Sequence, residues 1–259
     1  MELEILKNDY ISLFREIVKE SPLDTLNKLE KIDIPVDYFK FCNSVSSVYS
    51  SKIEGEDIDF DSFYKHKFLK VKFKPDYTKK TDDLFSAYEF IYKNSLSLKN
   101  VLKTHSILSS NLLPKSQQGF IRTNPMFVIN SDDKIEYVAA DSAIVKQELE
   151  KLFHDISLLQ NAKLDAFEIL YFASYIHLVF VKIHPFQDGN GRTARLMEKW
   201  FLIDKLGDIA TSIQLEKNYY LKLHDYYNNI KKLGAEYEKL NYDNCLDFLL
   251  MTTKGLKEQ

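Results

Sequence analysis

Glycine, proline and cysteine are all scarce in this chain. Its 259 residues hold 7 Gly, 6 Pro and 2 Cys. So few turn-formers argue against a turn-rich all-β fold and for long helices. Cys42 and Cys245 lie far apart and outside any CxxC pattern. They supply no disulfide framework and fit a reducing, cytoplasmic setting. A dominant charge is missing too: the formal net charge of -3 gives no overall nucleic-acid footprint. The N-terminal "MELEILKNDY" lacks the basic segment and apolar run of a signal peptide. The longest uncharged apolar run, from Ile169 to Val181, is too short to span a bilayer. Neither nucleic acid nor a membrane is an expected partner.

What the chain does have is apolar mass. Hydrophobic residues make up 45% and aromatics 14%, enough for one large core or two small ones. "TLNKLEKI" reads as an amphipathic helix, and "YFKFCNSVSSVYSSKIEG" as a second that stops at Gly55. Residues 66–80 carry six lysines and read as a solvated linker rather than a contact patch, with Val71 and Phe73 alternating with outward lysines. Thr81 is the expected N-cap of the next helix, "TDDLFSAYEFIYKN". "NVLKTHSILSSNLL" continues the helical pattern up to Pro114. The pattern then changes. Met126–Ile129 and Ile135–Val138 are β-prone and flank Asn130, Ser131, Asp132 and Asp133, which predicts a hairpin. Helical period returns at "AIVKQELEKLFHDISLL". Residues 164–183 are then apolar on nearly every face, as a central buried helix should be. His177 inside that run reads as a hydrogen-bonded core residue.

"IHPFQDGNGRTAR", residues 183–195, holds two of the scarce glycines one residue apart. Pro185 ends the preceding helix, and a new helical period runs from the glycines to Gly207. The loop therefore leads into a helix N-terminus, where free N–H groups and partial positive charge favour anions. Gly189 and Gly191 let successive N–H groups curl into a nest. Arg192 and Arg195, three apart, add two guanidinium forks for phosphate oxygens. Asp188 among phosphates calls for a bridging cation, and Mg2+ takes one or two carboxylates plus phosphate oxygens and waters. His184 can take a proton from an incoming hydroxyl. Together these predict phosphoryl or nucleotidyl transfer. Separately, each has a plain explanation: a capping histidine, a turn, surface charge. There is no GxxxxGK[ST] loop, and no strand precedes the glycines as a dinucleotide fold would need.

"HPFQDGNGRTAR" resembles the signature HPFx(D/E)GNGRxxR of the Fic family at all nine specified positions. The resemblance spans roughly residues 35–250 and is strongest over 164–206. It implies an all-α Fic fold: a helical bundle around a central buried helix, with a β-hairpin flap over 126–138. The implied division is an N-terminal helical region (1–98), a catalytic core (99–235, signature loop 184–195) and a C-terminal helix packed on the core (236–259). The implied activity is protein adenylyltransfer: AMP passes from ATP to a Tyr, Thr or Ser hydroxyl, and pyrophosphate leaves. His184 then resembles the general base, Phe186 the anchor of the loop and Asp188 the Mg2+ ligand. Gly189, Asn190, Gly191, Arg192, Thr193, Ala194 and Arg195 resemble the nucleotide-binding run, with Arg195 on the γ-phosphate. Gly191 argues against relatives that carry Lys there and transfer phosphate.

"SSKIEG", residues 50–55, resembles the family's inhibitory motif (S/T)xxxE(G/N), here Ser50, Glu54 and Gly55. Its glutamate would occupy the Arg195 fork; read alone, the segment is an ordinary helix end with a surface Glu. Ile135, Glu136, Tyr137 and Val138 resemble flap and nucleotide-edge residues, although Ala139 and Ala140 stand where relatives often have prolines. "GFIR", residues 119–122, resembles the lead-in to the flap. Tyr226 and Tyr227 resemble a pair beside the adenine, or are core. ATP and a hydroxyl-bearing protein are the implied partners, and self-modification and a homodimer are both compatible. Two other functions remain open: a Fic-type enzyme that removes AMP, and a non-catalytic ATP-sensing module.

Overall fold

The computed structural model describes residues 2–28, 37–130 and 132–256. Helices dominate them. α1 (Ile11–Val18) and α2 (Pro22–Lys28) precede α3 (Tyr38–Ile53), α4 (Phe60–Leu69), α5 (Pro75–Ile91) and α6 (Leu98–Leu108). A hairpin follows, β1 (Phe127–Ile129) and β2 (Ile135–Val138), then α7 (Val145–Asn161), α8 (Ala166–Ile183) and α9 (Asn190–Leu206). α10 (Leu215–Leu221), α11 (Leu223–Lys231), α12 (Leu246–Leu249) and α13 (Met251–Lys254) are the last helices among the described residues. The fold is all-α with one two-stranded antiparallel hairpin, as expected.

α8 is the axis. Asp165 caps it, its carboxylate taking the N–H groups of Phe167 and Glu168, while Glu168 reaches back to the Asp165 N–H. This reciprocal box satisfies donors that would otherwise be orphaned. Residues 169–180 are all buried, so the helix needs neighbours on every side. α9 packs along it, and α1, α7, α12 and α13 cover other faces. α8 is long and apolar enough to cross a membrane by composition alone, but 78% of it is buried inside the protein. Each large apolar side chain so buried stabilises by about 1.5–3 kcal/mol. The helix ends at His184, whose left-handed backbone (φ 55°) turns the chain toward Pro185.

The hairpin pairs Phe127 with Val138, Val128 with Tyr137 and Ile129 with Ile135, with an irregularity between Val128 and Ile129. The Asn130 side-chain oxygen accepts from the N–H groups of Asp132 and Lys134 and so shapes the turn. The far side of β2 is also tied down: the Val138 N–H donates to the Ala235 carbonyl (2.8 Å).

Three expectations need correction. Thr81 is not an N-cap. α5 begins six residues earlier at Pro75, whose fixed φ suits a first helical position. Thr81 is buried and bonds Ser51 across to α3. For the same reason residues 66–80 are mostly the end of α4 and the start of α5; only 70–74 link them. Residues 236–256 are not one helix. Short 3-10 turns (Tyr237–Lys239, Tyr242–Asn244) precede α12 and α13, which bury Phe248, Leu249 and Met251 against the core. Of "TLNKLEKI", residues 25–28 lie in α2 and 29–32 lie outside the described residues, as does Ser131 of the turn.

Candidate active site

The end of α8, the signature loop, the start of α9, β2 and α11 enclose a cavity of about 250 Å3. His184, Gly191, Arg195, Glu136, Tyr137, Tyr226, Tyr227 and Glu54 all line it, alongside Lys182, Ile230 and Lys231. Residues more than a hundred positions apart thus meet at one place.

His184 Nδ1 sits 3.1 Å from the Val181 carbonyl. A carbonyl only accepts, so Nδ1 carries the proton and Nε2 keeps a lone pair. Burial lowers the imidazole's pKa below its ordinary value, against the pull of the Val181 bond. A neutral histidine with a fixed tautomer is a competent base.

The loop around it is held from two directions. From within, the Asn190 side chain accepts from the Phe186 N–H (2.9 Å) and donates to the Phe186 carbonyl (2.8 Å). Phe186 is fully buried and stacks on His105 at 3.6 Å between ring centroids. From outside, His105 Nδ1 accepts from the Gly119 N–H, which leaves Nε2–H to donate to the Asp188 carbonyl (2.9 Å). The Arg122 backbone N–H donates to the Pro185 carbonyl, and its guanidinium donates to the carbonyls of His184 (2.7 Å), Asn124 and Ala140. The "GFIR" segment is therefore a cradle for the loop, beyond leading into the flap.

Gly189 has the positive φ (79°) that the helix entry requires. Gly191 is needed for a different reason. Its backbone is helical, but a Cβ there would stand 2.7 Å from Glu54 Oε1 and 3.2 Å from Arg195 Nη1.

Arg195 is fully buried. Its Nη2 donates to Glu54 Oε1 (2.6 Å) and the Ser50 carbonyl (3.1 Å), and its Nε to the Ser50 hydroxyl (2.9 Å). Burial alone would disfavour the Glu54 carboxylate, yet Arg195 and Arg192 outweigh it and hold its pKa below the ordinary range. Burial opposes the Arg195 charge in the same way, and Glu54 reverses the balance, so its pKa is raised. Glu56, two residues on, lies 3.6 Å from Arg192 and 2.7 Å from Lys80. Both loop arginines thus face carboxylates from the α3–α4 turn.

Not every expected residue faces the cavity. Thr193 turns its hydroxyl back onto the Gly189 carbonyl (2.8 Å), and Ala194 is fully buried, so neither side chain faces the cavity. Ile135 is exposed and Val138 lines a separate groove; neither borders the cavity. Tyr226 is buried, while Tyr227 is part-exposed and donates to the Ile53 carbonyl (3.1 Å). Asp188 is exposed, with one oxygen accepting from the Gly189 N–H (2.6 Å). No cluster of three His, Cys, Asp or Glu exists among the described residues. The exposed Asp188 carboxylate suits a Mg2+ that arrives with phosphates.

Sequence reasoning missed Lys182, His105 and Glu56, and read Arg122 only as part of the lead-in to the flap. Lys182 places its ammonium 4.2 Å from the Tyr137 ring centre and donates to the Gly234 carbonyl; burial brings its pKa down to about 8. Its adjacency to "IHPF" was the one signal available.

Known proteins resemble this chain in sequence and fold. Residues 95–202 match the Fic/DOC family model. "Protein adenylyltransferase fic-1" of Caenorhabditis briggsae is 28% identical over 132 residues, 51% of this chain and 24% of that protein. "Protein adenylyltransferase Fic" of Drosophila persimilis is 27% identical over 113 residues, 44% of this chain and 20% of that protein. The chain thus matches about a quarter or less of these curated relatives' length. Among solved structures, a Fic family protein from Desulfovibrio desulfuricans superposes with a TM-score of 0.76 at 17% identity, covering 99% of this chain and 76% of the other. Caenorhabditis elegans Fic-1 gives 0.66 at 18%, covering 95% and 70%. The family match covers the flap, α8 and the signature loop, and the chain shares the fold of Fic-family structures across nearly its whole length.

Proposed function

We propose that this protein is a Mg2+-dependent protein adenylyltransferase held in check by Glu54. The observation that carries this reading is the meeting, on one cavity, of the His184 base with Arg195, whose guanidinium Glu54 already occupies. The names of the curated relatives support the same chemistry.

In the forward reaction a target hydroxyl oxygen attacks the α-phosphorus of ATP. The new O–P bond forms as the bond to the β-phosphate oxygen breaks, and pyrophosphate leaves. His184 Nε2 receives the hydroxyl proton. Nδ1–H stays on the Val181 carbonyl, so the ring keeps its orientation throughout. The N–H groups at the start of α9 and the Arg192 and Arg195 guanidiniums stabilise phosphate charge. Asp188 would hold a Mg2+ whose positive charge offsets that of the phosphates. Glu54 blocks this arrangement by filling the fork that a terminal phosphate needs. The exposed outer strand β1 would take an extended target segment by backbone pairing.

The test is transfer of label from α-labelled ATP, to the protein itself and to a lysate. Glu54→Gly should raise incorporation by about tenfold or more, the kinetic equivalent of removing ~1.4 kcal/mol of barrier. His184→Ala in the same background should abolish incorporation and keep ATP binding. Loss of AMP from a labelled target would point to the reverse activity. ATP binding with no turnover in any variant would point to a sensing module.

A further inference from the structure

The hydrogen bonds of Arg195 come from two sources. Those from Ser50 and Glu54 belong to the end of α3, the segment that must let go before Arg195 can receive a phosphate oxygen. The other joins Nη1 to the Tyr226 hydroxyl (3.3 Å), which belongs to α11. Among the described residues, it is the contact that would survive departure of the inhibitory segment.

Tyr226 is itself held from behind. Its hydroxyl lies 3.0 Å from His177 Nε2, and His177 Nδ1 lies 2.7 Å from Glu198 Oε2. Glu198 also accepts from the Tyr219 hydroxyl (2.8 Å) and the Thr252 hydroxyl (2.7 Å). Every member of this chain is buried. The protons then follow from the chemistry. Glu198 accepts at both oxygens, so His177 donates from Nδ1. Burial holds the ring toward its neutral form, against the pull of Glu198. Neutral His177 presents a lone pair at Nε2, so the Tyr226 O–H donates to it. The lone pairs of the tyrosine oxygen are thereby left for the Arg195 N–H. A carboxylate two steps away fixes the hydroxyl as an acceptor.

We propose that Glu198, His177 and Tyr226 form a positioning relay that holds Arg195 in its phosphate-binding pose once Glu54 has left. This rests on the adenylyltransferase reading, in which Arg195 meets the terminal phosphate of ATP. Tyr226 is then a positioning residue for the arginine, although its place on the cavity wall suggests a nucleobase contact. The relay also accounts for a histidine, a glutamate and two tyrosines sharing one buried cluster around α8.

The experiment is calorimetric titration of ATP and of ADP into Glu54→Gly protein, alone and combined with Tyr226→Phe or Tyr219→Phe. Tyr226→Phe keeps the ring and deletes the acceptor oxygen. ATP affinity should fall about tenfold, as for loss of one hydrogen bond to a charged group. ADP affinity should stay within about twofold, because ADP lacks the phosphate that Arg195 meets. Tyr219→Phe removes the same atom from the same cluster but from the Glu198 end, with no bond to Arg195, and should leave the ATP-to-ADP ratio unchanged. His177→Gln, which removes the ring acceptor, should reproduce the selective loss in part, and it replaces Tyr226→Phe if that variant does not fold. Equal weakening toward both nucleotides, or an unchanged ATP affinity, overturns the relay. So does a Glu54→Gly protein that does not prefer ATP to ADP. Transfer is not read here. A protein that shows the selective loss but transfers no AMP would sink the function and leave the relay standing.

Discussion

Replacing Glu54 by Gln should make the protein less stable and more responsive to ATP. The substitution keeps the side chain's shape and removes its charge. Arg195 is left at 1% side-chain exposure without its anion, while Glu54 itself is 23% exposed. Breaking a fully buried pair from one side costs about 3–5 kcal/mol. The water contact of Glu54 and the remaining Ser50 and Tyr226 bonds reduce this to about 2–3 kcal/mol. At about 2–4 °C per kcal/mol for a chain of this size, the melting midpoint should fall by about 4–12 °C. ATP then supplies the missing anion. At about 100 times its Kd it returns ~2.7 kcal/mol, which offsets most of the loss. On the proposed function, ATP has to displace Glu54 in the wild type, so its shift there should be smaller. Scanning calorimetry of both proteins with and without Mg2+-ATP measures each quantity. A variant as stable as the wild type, or an equal ATP shift in both, would refute the reasoning.

Stability should also fall on acidification from pH 6.5 toward pH 4. Burial holds His105 at about 4 in the fold, against about 6.5 in the unfolded chain, so the unfolded chain binds the extra proton in that window. The loss is about 2–3 kcal/mol by pH 4.5, and buried His177 and His184 add to it with the same sign; urea unfolding at pH 7 and pH 4.5 should show it, and a flat or rising profile would count against it. Gly191→Ala should destabilise the wild type even though Ala is the better helix former, because its Cβ meets the Glu54 carboxylate. In a Glu54→Gly background the sign should reverse, with Ala stabilising by up to about 1 kcal/mol; the same cost in both backgrounds would mean Glu54 is not the obstacle.

The parts legible in sequence were those written locally. The run around α8, the turn residues between β1 and β2, and the residues from His184 to Arg195 each carry their pattern within twenty positions. Glu54 was found because its spacing to Ser50 resembles a known motif; nothing local says that it reaches Arg195, 141 positions away. His105 and Arg122 carry no local sign of their roles. Each works by gripping backbone carbonyls of the signature loop, and that pairing exists only after α6 and α9 pack together. The error at Thr81 has a similar origin. A threonine before an acidic pair suits a cap, but Pro75 had already started the helix. The C-terminal segment was misjudged because its apolar residues are spaced for burial in short turns as readily as in one helix.

The bond between Glu54 and Arg195 lies within one chain, and this sets how it competes. A tethered group acts at a local concentration fixed by geometry, in the millimolar range even for loose tethers. α3 is no loose tether, since Ser50 and the Tyr227 hydroxyl pin its last turn on either side of the carboxylate. Diluting or concentrating the protein leaves this balance untouched, and a soluble anion must always work against the same effective molarity. The lever that changes it is the mobility of the last turn of α3. Any contact that frays that turn raises apparent affinity for a competing anion without touching the anion's own site.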